Sequence, residues 1–182
     1  NPKRHDAYFN RGMARSDLKD YQAAINDFNQ AINLNSKDYD YDAFNRRGLA
    51  RSELKDYKGA ISDFTEAIKS NPKNDDFYIS RGIAKSESKD YRGGITDFTE
   101  AIKLNQKNFY AFYNRGSAKK NLKDYEDAIK DYTKAIKLDP KDNSAYYKRA
   151  ITKNYLEDFQ GAIKDLTVAI KLDPKDDGAY DN

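Results

Sequence analysis

The stretch Tyr57–Ile68, YKGAISDFTEAI, decides the fold. Its apolar and small residues fall at i, i+3, i+4, i+7, i+10 and i+11, which is one face of an α-helix. The preceding stretch DAFNRRGLARSEL, residues 42–54, carries a helical face of its own. Only Lys55 and Asp56 separate the two, so we expect a tight turn with Asp56 as the N-cap of the second helix. The pattern predicts a hairpin of two helices.

This hairpin recurs along the chain. An Arg-Gly dipeptide begins at residues 11, 47, 81 and 115, and Arg149-Ala150 is an altered fifth copy, so the spacings are 36, 34, 34 and 34 residues. Pairs of Asp with an aromatic residue recur in step, at residues 20, 56, 90, 124 and 158. Pro72, Pro140 and Pro174 end three of the second helices, because proline disfavours α conformation in the residue before it. A fixed period of this length indicates a repeat architecture.

The repeat resembles the tetratricopeptide repeat (TPR), with small residues at repeat positions 8, 20 and 27 and aromatic residues near positions 4 and 24. In the second repeat these residues are Gly48, Ala60, Ala67, Phe44 and Phe64. The resemblance implies an all-α fold, an α-solenoid of antiparallel helix hairpins in a right-handed TPR superhelix. The RNA-reading pentatricopeptide repeat fits less well, because its period is longer and the Asn/Asp-Pro ending follows the TPR pattern.

Five repeats in phase cover nearly the whole chain, at residues 5–38, 41–74, 75–108, 109–142 and 143–176. Residues 39–40 are a two-residue insertion, for which neutral loop growth is favoured over a local change of superhelical pitch. Residues 1–4 resemble the end of an upstream repeat and residues 177–182 the start of a downstream one. We therefore expect a fragment of a longer array, with bare ends able to stack end to end. In the alternative, Leu166 and Thr167 make the outer face of the last hairpin less apolar, so that no capping helix is needed.

Two charged positions depart from the family pattern. Position 7 is usually apolar in the family but is Arg in all five repeats, and position 23 is Asp in all five. The two lie sixteen residues apart, on the first and second helix of one hairpin. The sequence predicts five structural ion pairs, with pairing to a neighbouring repeat as the alternative: Arg11–Asp27, Arg47–Asp63, Arg81–Asp97, Arg115–Asp131 and Arg149–Asp165. Such pairs fix register more than they add stability.

Composition excludes most catalytic chemistry. The chain has no Cys, and its single His is His5, so disulfides, thiol catalysis, Cys-ligated metals, a Ser-His-Asp triad and multi-His metal sites are excluded. The Asp and Glu residues recur by repeat, so no unique catalytic pair stands out. We expect a protein that is not an enzyme and that uses no cofactor and no metal.

Charge and hydropathy also bear on the partner. The 33 basic and 30 acidic residues are interspersed and leave a net charge of only +3, which disfavours a nucleic-acid partner. No apolar run approaches the ~20 residues of a membrane span, so no membrane partner is expected.

In the TPR family the first helices line a concave face, through positions 2, 5, 6, 9, 12 and 13. Amide, tyrosine and lysine side chains suit peptide recognition, and they concentrate in repeats 4 and 5. The candidate peptide-binding residues there are Tyr113, Asn114, Ser117, Lys120, Tyr147, Lys148, Ile151, Asn154 and Tyr155. A second candidate is an apolar stripe in repeats 1 to 3, consisting of Phe9, Met13, Leu49, Ile79 and Ile83. Position 13 is acidic in those three repeats, at Asp17, Glu53 and Glu87, and neutral in the other two.

These observations predict a protein–protein interaction scaffold that binds an extended peptide or a partner helix in the concave groove. A structural spacer, or an array that self-associates end to end without a peptide ligand, is the alternative. An RNA-binding solenoid is disfavoured by the mixed charge. The identity of the protein or peptide partner stays open.

Overall fold

The computed structural model describes residues 2–34 and 41–173, and this part of the chain consists of α-helices joined by short turns, with no β-strand. The helices are α1 (Pro2–Asp17), α2 (Tyr21–Leu34), α3 (Tyr41–Glu53), α4 (Tyr57–Ser70), α5 (Asp75–Glu87), α6 (Tyr91–Leu104), α7 (Phe109–Asn121), α8 (Tyr125–Leu138), α9 (Asn143–Asn154) and α10 (Phe159–Leu172). None of them is long and apolar enough to cross a membrane.

The chain divides into two compact units, residues 1–97 and 98–182. In the first unit α1 packs on α2 and α3 on α4 as hairpins, while α2 contacts α3 and α4 contacts α5. In the second unit α7 pairs with α8 and α9 with α10, and α8 contacts α9. The predicted fold class, an all-α solenoid of antiparallel helix hairpins, is confirmed.

The turn between the two helices of a hairpin is a tight C-terminal cap. The Asp56 N–H donates to the carbonyl of Arg51, and the Lys55 N–H donates to that of Ser52, both at 2.9 Å. This geometry holds Lys55 in the left-handed region at φ 61°, where glycine is usual. The same turn recurs with a positive φ at Lys19, Lys89, Lys123 and Glu157. The predicted N-cap is confirmed, since the Asp56 carboxylate accepts from the Gly59 N–H at 3.0 Å.

Small residues bring the two helices of a hairpin together. A Cβ built on Gly48 would lie 2.8 Å from the ring of Phe64, and the same holds for Gly12 against Phe28. Position 27 is a buried alanine in every repeat. Position 20 is a buried alanine in four repeats and a buried glycine, Gly94, in the third. The ring of Phe64 fills the space that these residues leave, and it is almost fully buried.

The first helix, α1, is helical from Pro2 onward. That residues 1–4 end an upstream repeat stays a prediction. Proline is favoured at the first helical position, because the N–H it lacks has no partner there in any case. The two-residue insertion at 39–40 and the expected downstream start at 177–182 lie outside the described residues.

Candidate partner-binding surfaces

A charged network joins the two helices of every hairpin. In the second repeat Arg47 donates from Nη2 to Asp63 Oδ1 at 2.6 Å and from Nε to Oδ2 at 3.0 Å. The aspartates at position 23 are only 2–4% exposed. The same forked contact, at 2.6–2.9 Å, joins Arg11 to Asp27, Arg81 to Asp97, Arg115 to Asp131 and Arg149 to Asp165. Each carboxylate therefore pairs within its own hairpin.

Each of these aspartates also holds a second cation that the sequence analysis missed. This cation is the side chain at repeat position 11, one helical turn after the arginine. Its nitrogen lies 2.7–2.8 Å from an oxygen of the carboxylate. The five residues are Arg15, Arg51, Lys85, Lys119 and Lys153. The signal was present, since position 11 is basic in every repeat. Burial alone would raise the pKa of Asp165, but hydrogen bonds from Arg149 and Lys153 hold it below its ordinary value.

The arginine also reaches the preceding repeat. Nη1 of Arg47 donates to Asn29 Oδ1 at 2.6 Å, and its guanidinium lies 5.5 Å from the centre of the Phe44 ring. Arg81, Arg115 and Arg149 repeat the contact with a threonine hydroxyl, at 2.9–3.2 Å. Because all three of their side-chain nitrogens are engaged inside the fold, Arg47, Arg81, Arg115 and Arg149 are structural, whereas the side chain of Arg11 is 56% exposed.

Two open cavities follow each other along the first helices of the first unit. The one between α1 and α3 measures about 230 Å³, and the one between α3 and α5 about 330 Å³. Met13, Ser16, Asp17, Tyr21, Arg46, Leu49, Ala50 and Glu53 line the first. Ser52, Glu53, Lys55, Tyr57, Ile83, Ala84 and Glu87 line the second. We call these two sets of residues the acidic groove.

Carboxylates without a cationic partner line this groove. None of Asp17, Glu53 and Glu87 forms an ion pair with any described residue. Burial, together with the charge of Glu53 and a hydrogen bond to it, raises the pKa of the Tyr21 hydroxyl. Arg46 and Lys55 also line the groove, but neither forms an ion pair with one of these three carboxylates.

The apolar stripe expected from the sequence is only partly available to a partner. Leu49 and Ile83 are 38% and 39% exposed and line the cavities together with half-buried Met13. Phe9 is half-buried, with its ring centroid 5.9 Å from that of Phe28. Ile79 is only 7% exposed and belongs to the core, because its side chain is taken up by packing. It drops out of the candidate surface.

In the second unit, part of the expected peptide-binding set is engaged in packing. The Tyr113 ring stacks on Phe109 with centroids 5.6 Å apart, and burial raises the pKa of its hydroxyl. The Ser117 hydroxyl donates to the Tyr113 carbonyl and accepts from the Tyr132 hydroxyl, both at 3.1 Å. The Asn114 amide donates to a carbonyl of its own helix. Because of this packing and these hydrogen bonds, fewer groups of these three residues are available to a partner than the sequence implies.

The remaining residues of that set include two lysines and two tyrosines that are at least partly exposed. Lys120 on α7 and Lys148 on α9 are half-buried, and neither forms an ion pair with a described residue. Burial, and then the charge of Lys148, lower the pKa of Lys120. Tyr155 is exposed and stacks on Tyr125 at 4.8 Å, and Asn154 is exposed beside it. The half-buried Tyr147 and Ile151 lie on the same helix as Lys148.

Comparison with known families gives the identity of the repeat. A family model described as Tetratricopeptide repeat matches residues 5–38 and 109–142, and a second model with the same description matches residues 41–74. The chain belongs to the tetratricopeptide repeat family. No curated protein matches it.

Solved TPR structures share the fold. A crystal structure of MamA protein has a TM-score of 0.84 at 18% identity, covering 96% of this chain and 94% of that one. MamA residues 41 to the end from Desulfovibrio magneticus RS-1 have a TM-score of 0.86 at 19% identity, covering 96% and 97%. YrrB, described as a TPR protein with an unusual peptide-binding site, has a TM-score of 0.76 at 21% identity, covering 95% and 88%. At these identities the likeness shows the TPR fold alone.

Proposed function

We propose that this TPR chain is an interaction scaffold that binds a segment of another protein on the face of its first helices. The observation that carries the proposal is the pair of consecutive cavities along α1, α3 and α5. They are open and successive, and they share Glu53, so together they match an elongated ligand better than a small molecule.

The surface around Lys120 and Lys148 is a second candidate site for the same function. It combines two unpaired ammonium groups with the exposed Tyr155 and Asn154, and it retains Tyr147 and Ile151 from the sequence-based set. Tyrosine gives a large contact area at a low cost in conformational entropy. The peptide-binding site named in the description of YrrB favours peptide recognition over catalysis for this fold.

Site-specific photocrosslinking in extract from the source organism tests the proposal. Benzoylphenylalanine replaces Leu49 in the acidic groove, Lys120 in the second unit, or Lys137 on the exposed surface of α8 as the matched control. We expect one protein to crosslink to the chain from position 49 or position 120, and from neither the control position nor the unlabelled chain. Equal labelling from all three positions, or labelling from none, would refute groove binding.

Self-association is a second candidate function, favoured by one observation. Phe159 and Ile163 are large apolar side chains one helical turn apart on α10, and more than half of each is exposed. An exposed apolar helix face of this kind promotes association with a second copy. Sedimentation velocity over a range of concentrations tests it: mass should rise with concentration and an Ile163→Lys variant should stay monomeric. A monomer at every concentration removes this candidate.

A further inference from the structure

We infer that the acidic groove selects a basic protein segment, in which apolar side chains alternate with lysine or arginine. This inference rests on the proposed function, because it specifies the partner of the same face. The charge on the face, the spacing of that charge along the helices and the apolar side chains in the two cavities together indicate the chemistry of the ligand.

Carboxylates outnumber cations on the concave face of the first unit, where Arg46 and Lys55 line the two cavities together with Asp17, Glu53 and Glu87. Its TPR groove positions hold a carboxylate at position 2 and at position 13 of each repeat, namely Asp6, Asp42, Asp76, Asp17, Glu53 and Glu87. Arg46 is the one cation at those positions in repeats 1 to 3. Among these carboxylates only Asp6 has an ion-pair contact within the described residues, with His5 at 3.1 Å. A surface of this kind attracts cationic partners and repels anionic ones.

The carboxylates are spread along the face and are not gathered at one point. Within residues 2–34 and 41–173 no group of three His, Asp or Glu side chains is close enough to hold a metal ion. One acidic side chain at position 13 comes from each of α1, α3 and α5, so the negative charge repeats with the helices. Charge distributed in this way complements a chain that carries several cations, and a single divalent ion would engage too little of it.

Apolar side chains lie between the carboxylates. Leu49 is in the first cavity and Ile83 in the second, and more than a third of each side chain is exposed. Their burial under a partner would supply the favourable free energy that rim charges alone do not. A partner matches this surface when it places one apolar residue in each cavity and cations next to Glu53 and Glu87. It then covers the apolar side chains and pairs with the carboxylates.

The second unit provides an internal contrast. Its groove positions contain Lys120 and Lys148 and no carboxylate, so the same basic segment is repelled there. Binding of a basic peptide to this chain should therefore depend on carboxylates of the first unit alone.

Fluorescence anisotropy with two synthetic peptides tests the inference on the full chain. One probe alternates lysine with leucine and the other alternates glutamate with leucine. The groove variant is Asp17→Asn/Glu53→Gln/Glu87→Gln. The control variant is Asp124→Asn/Glu126→Gln/Glu157→Gln, which makes the same change of net charge on exposed residues of the second unit. Circular dichroism verifies that both variants are folded.

We expect the groove variant to weaken binding of the lysine–leucine peptide by about tenfold, and the control variant to leave it unchanged within about twofold. Equal weakening by both variants would mean general attraction by net charge and would overturn the inference. Binding of the glutamate–leucine peptide alone, lost in a Lys120→Ala/Lys148→Ala variant, would also overturn it but would leave the scaffold proposal standing. If neither peptide binds, the inference fails, and the photocrosslinking experiment decides the scaffold proposal separately.

Discussion

Arg81 donates a hydrogen bond from Nη1 to the Thr65 hydroxyl of the preceding repeat, 3.1 Å away. The Thr65 hydroxyl donates in turn to the Ile61 carbonyl at 2.7 Å, so it serves as an acceptor and a donor at once. Nε and Nη2 of the same arginine hold Asp97. One guanidinium on α5 thus connects a carboxylate on α6 with a hydroxyl on α4, and joins the two helices of its hairpin to the repeat before it.

Replacing Arg81 with lysine should destabilise the protein although the charge is kept. An ammonium group cannot hold two carboxylate oxygens in a fork and reach Thr65 as well, and we expect a loss of about 1–3 kcal/mol. Urea unfolding followed by circular dichroism measures it. Arg92→Lys, at an exposed position of α6, is the matched control and should change stability by less than about 0.5 kcal/mol. Equal effects of the two substitutions would contradict a bridging role.

Acid should weaken the charged network. The pKa of Asp27 is lowered, chiefly by the hydrogen bond from Arg11, and that of Asp165 by hydrogen bonds from Arg149 and Lys153 against the effect of burial. A carboxyl whose pKa is lower in the folded state contributes stability that is complete above its unfolded pKa of about 3.9 and is lost as the pH falls below it.

Thermal unfolding between pH 7 and pH 3 measures this loss. We expect little contribution from these two carboxyls to any change down to about pH 5, and a fall in melting temperature below about pH 4. The Asp165→Asn variant should melt lower at neutral pH and lose less on acidification. A parallel decline in the variant and the parent would show that this network is not the acid-sensitive element.

The fit of Gly48 against Phe64 should show coupling between the two positions. Gly48→Ala places a Cβ 2.8 Å from the ring and should cost about 1–3 kcal/mol, reduced by the better helix propensity of alanine. Phe64→Leu alone should cost about 1 kcal/mol or more through lost packing. The double variant reproduces the Ala150 and Leu166 combination of the fifth repeat. It should therefore be more stable than the sum of the single changes implies, and strict additivity in urea unfolding would refute the steric argument.

Glycine in the hairpin turn should stabilise the fold. Lys89 adopts a φ of 69°, where a Cβ costs about 1–2 kcal/mol. Glycine removes that strain but has about 0.5–1 kcal/mol more backbone entropy to lose, so Lys89→Gly should gain up to about 1 kcal/mol. Lys164→Gly, at an exposed position inside α10, is the control and should lose about 1 kcal/mol. A higher melting temperature for Lys89→Gly and a lower one for Lys164→Gly would support the turn geometry. A lower melting temperature for both variants would contradict it.

Much of the fold could be predicted because its causes are local. The helical period in Tyr57–Ile68 and the small residues facing aromatic rings follow from side-chain size and from 3.6 residues per turn. The Arg47–Asp63 contact could be anticipated for the same reason, since a short turn brings positions sixteen apart to matching heights on two antiparallel helices. The recurrence of each feature in five repeats made it visible in one sequence.

The candidate binding surface was less predictable, because exposure depends on what a neighbouring helix covers. Ile79 and Ile83 sit one helical turn apart on α5 and look equivalent in the sequence, yet the first is buried and the second faces solvent. Likewise Ser117 reads as a free hydroxyl until Tyr132 of the next helix is seen to donate to it. The sequence by itself determined the repeat, the hairpin and the charged pairs, which rest on local geometry. Only the tertiary structure decided which groove side chains remain free for a partner, because packing between helices distributes burial and hydrogen bonds unequally among residues of the same type.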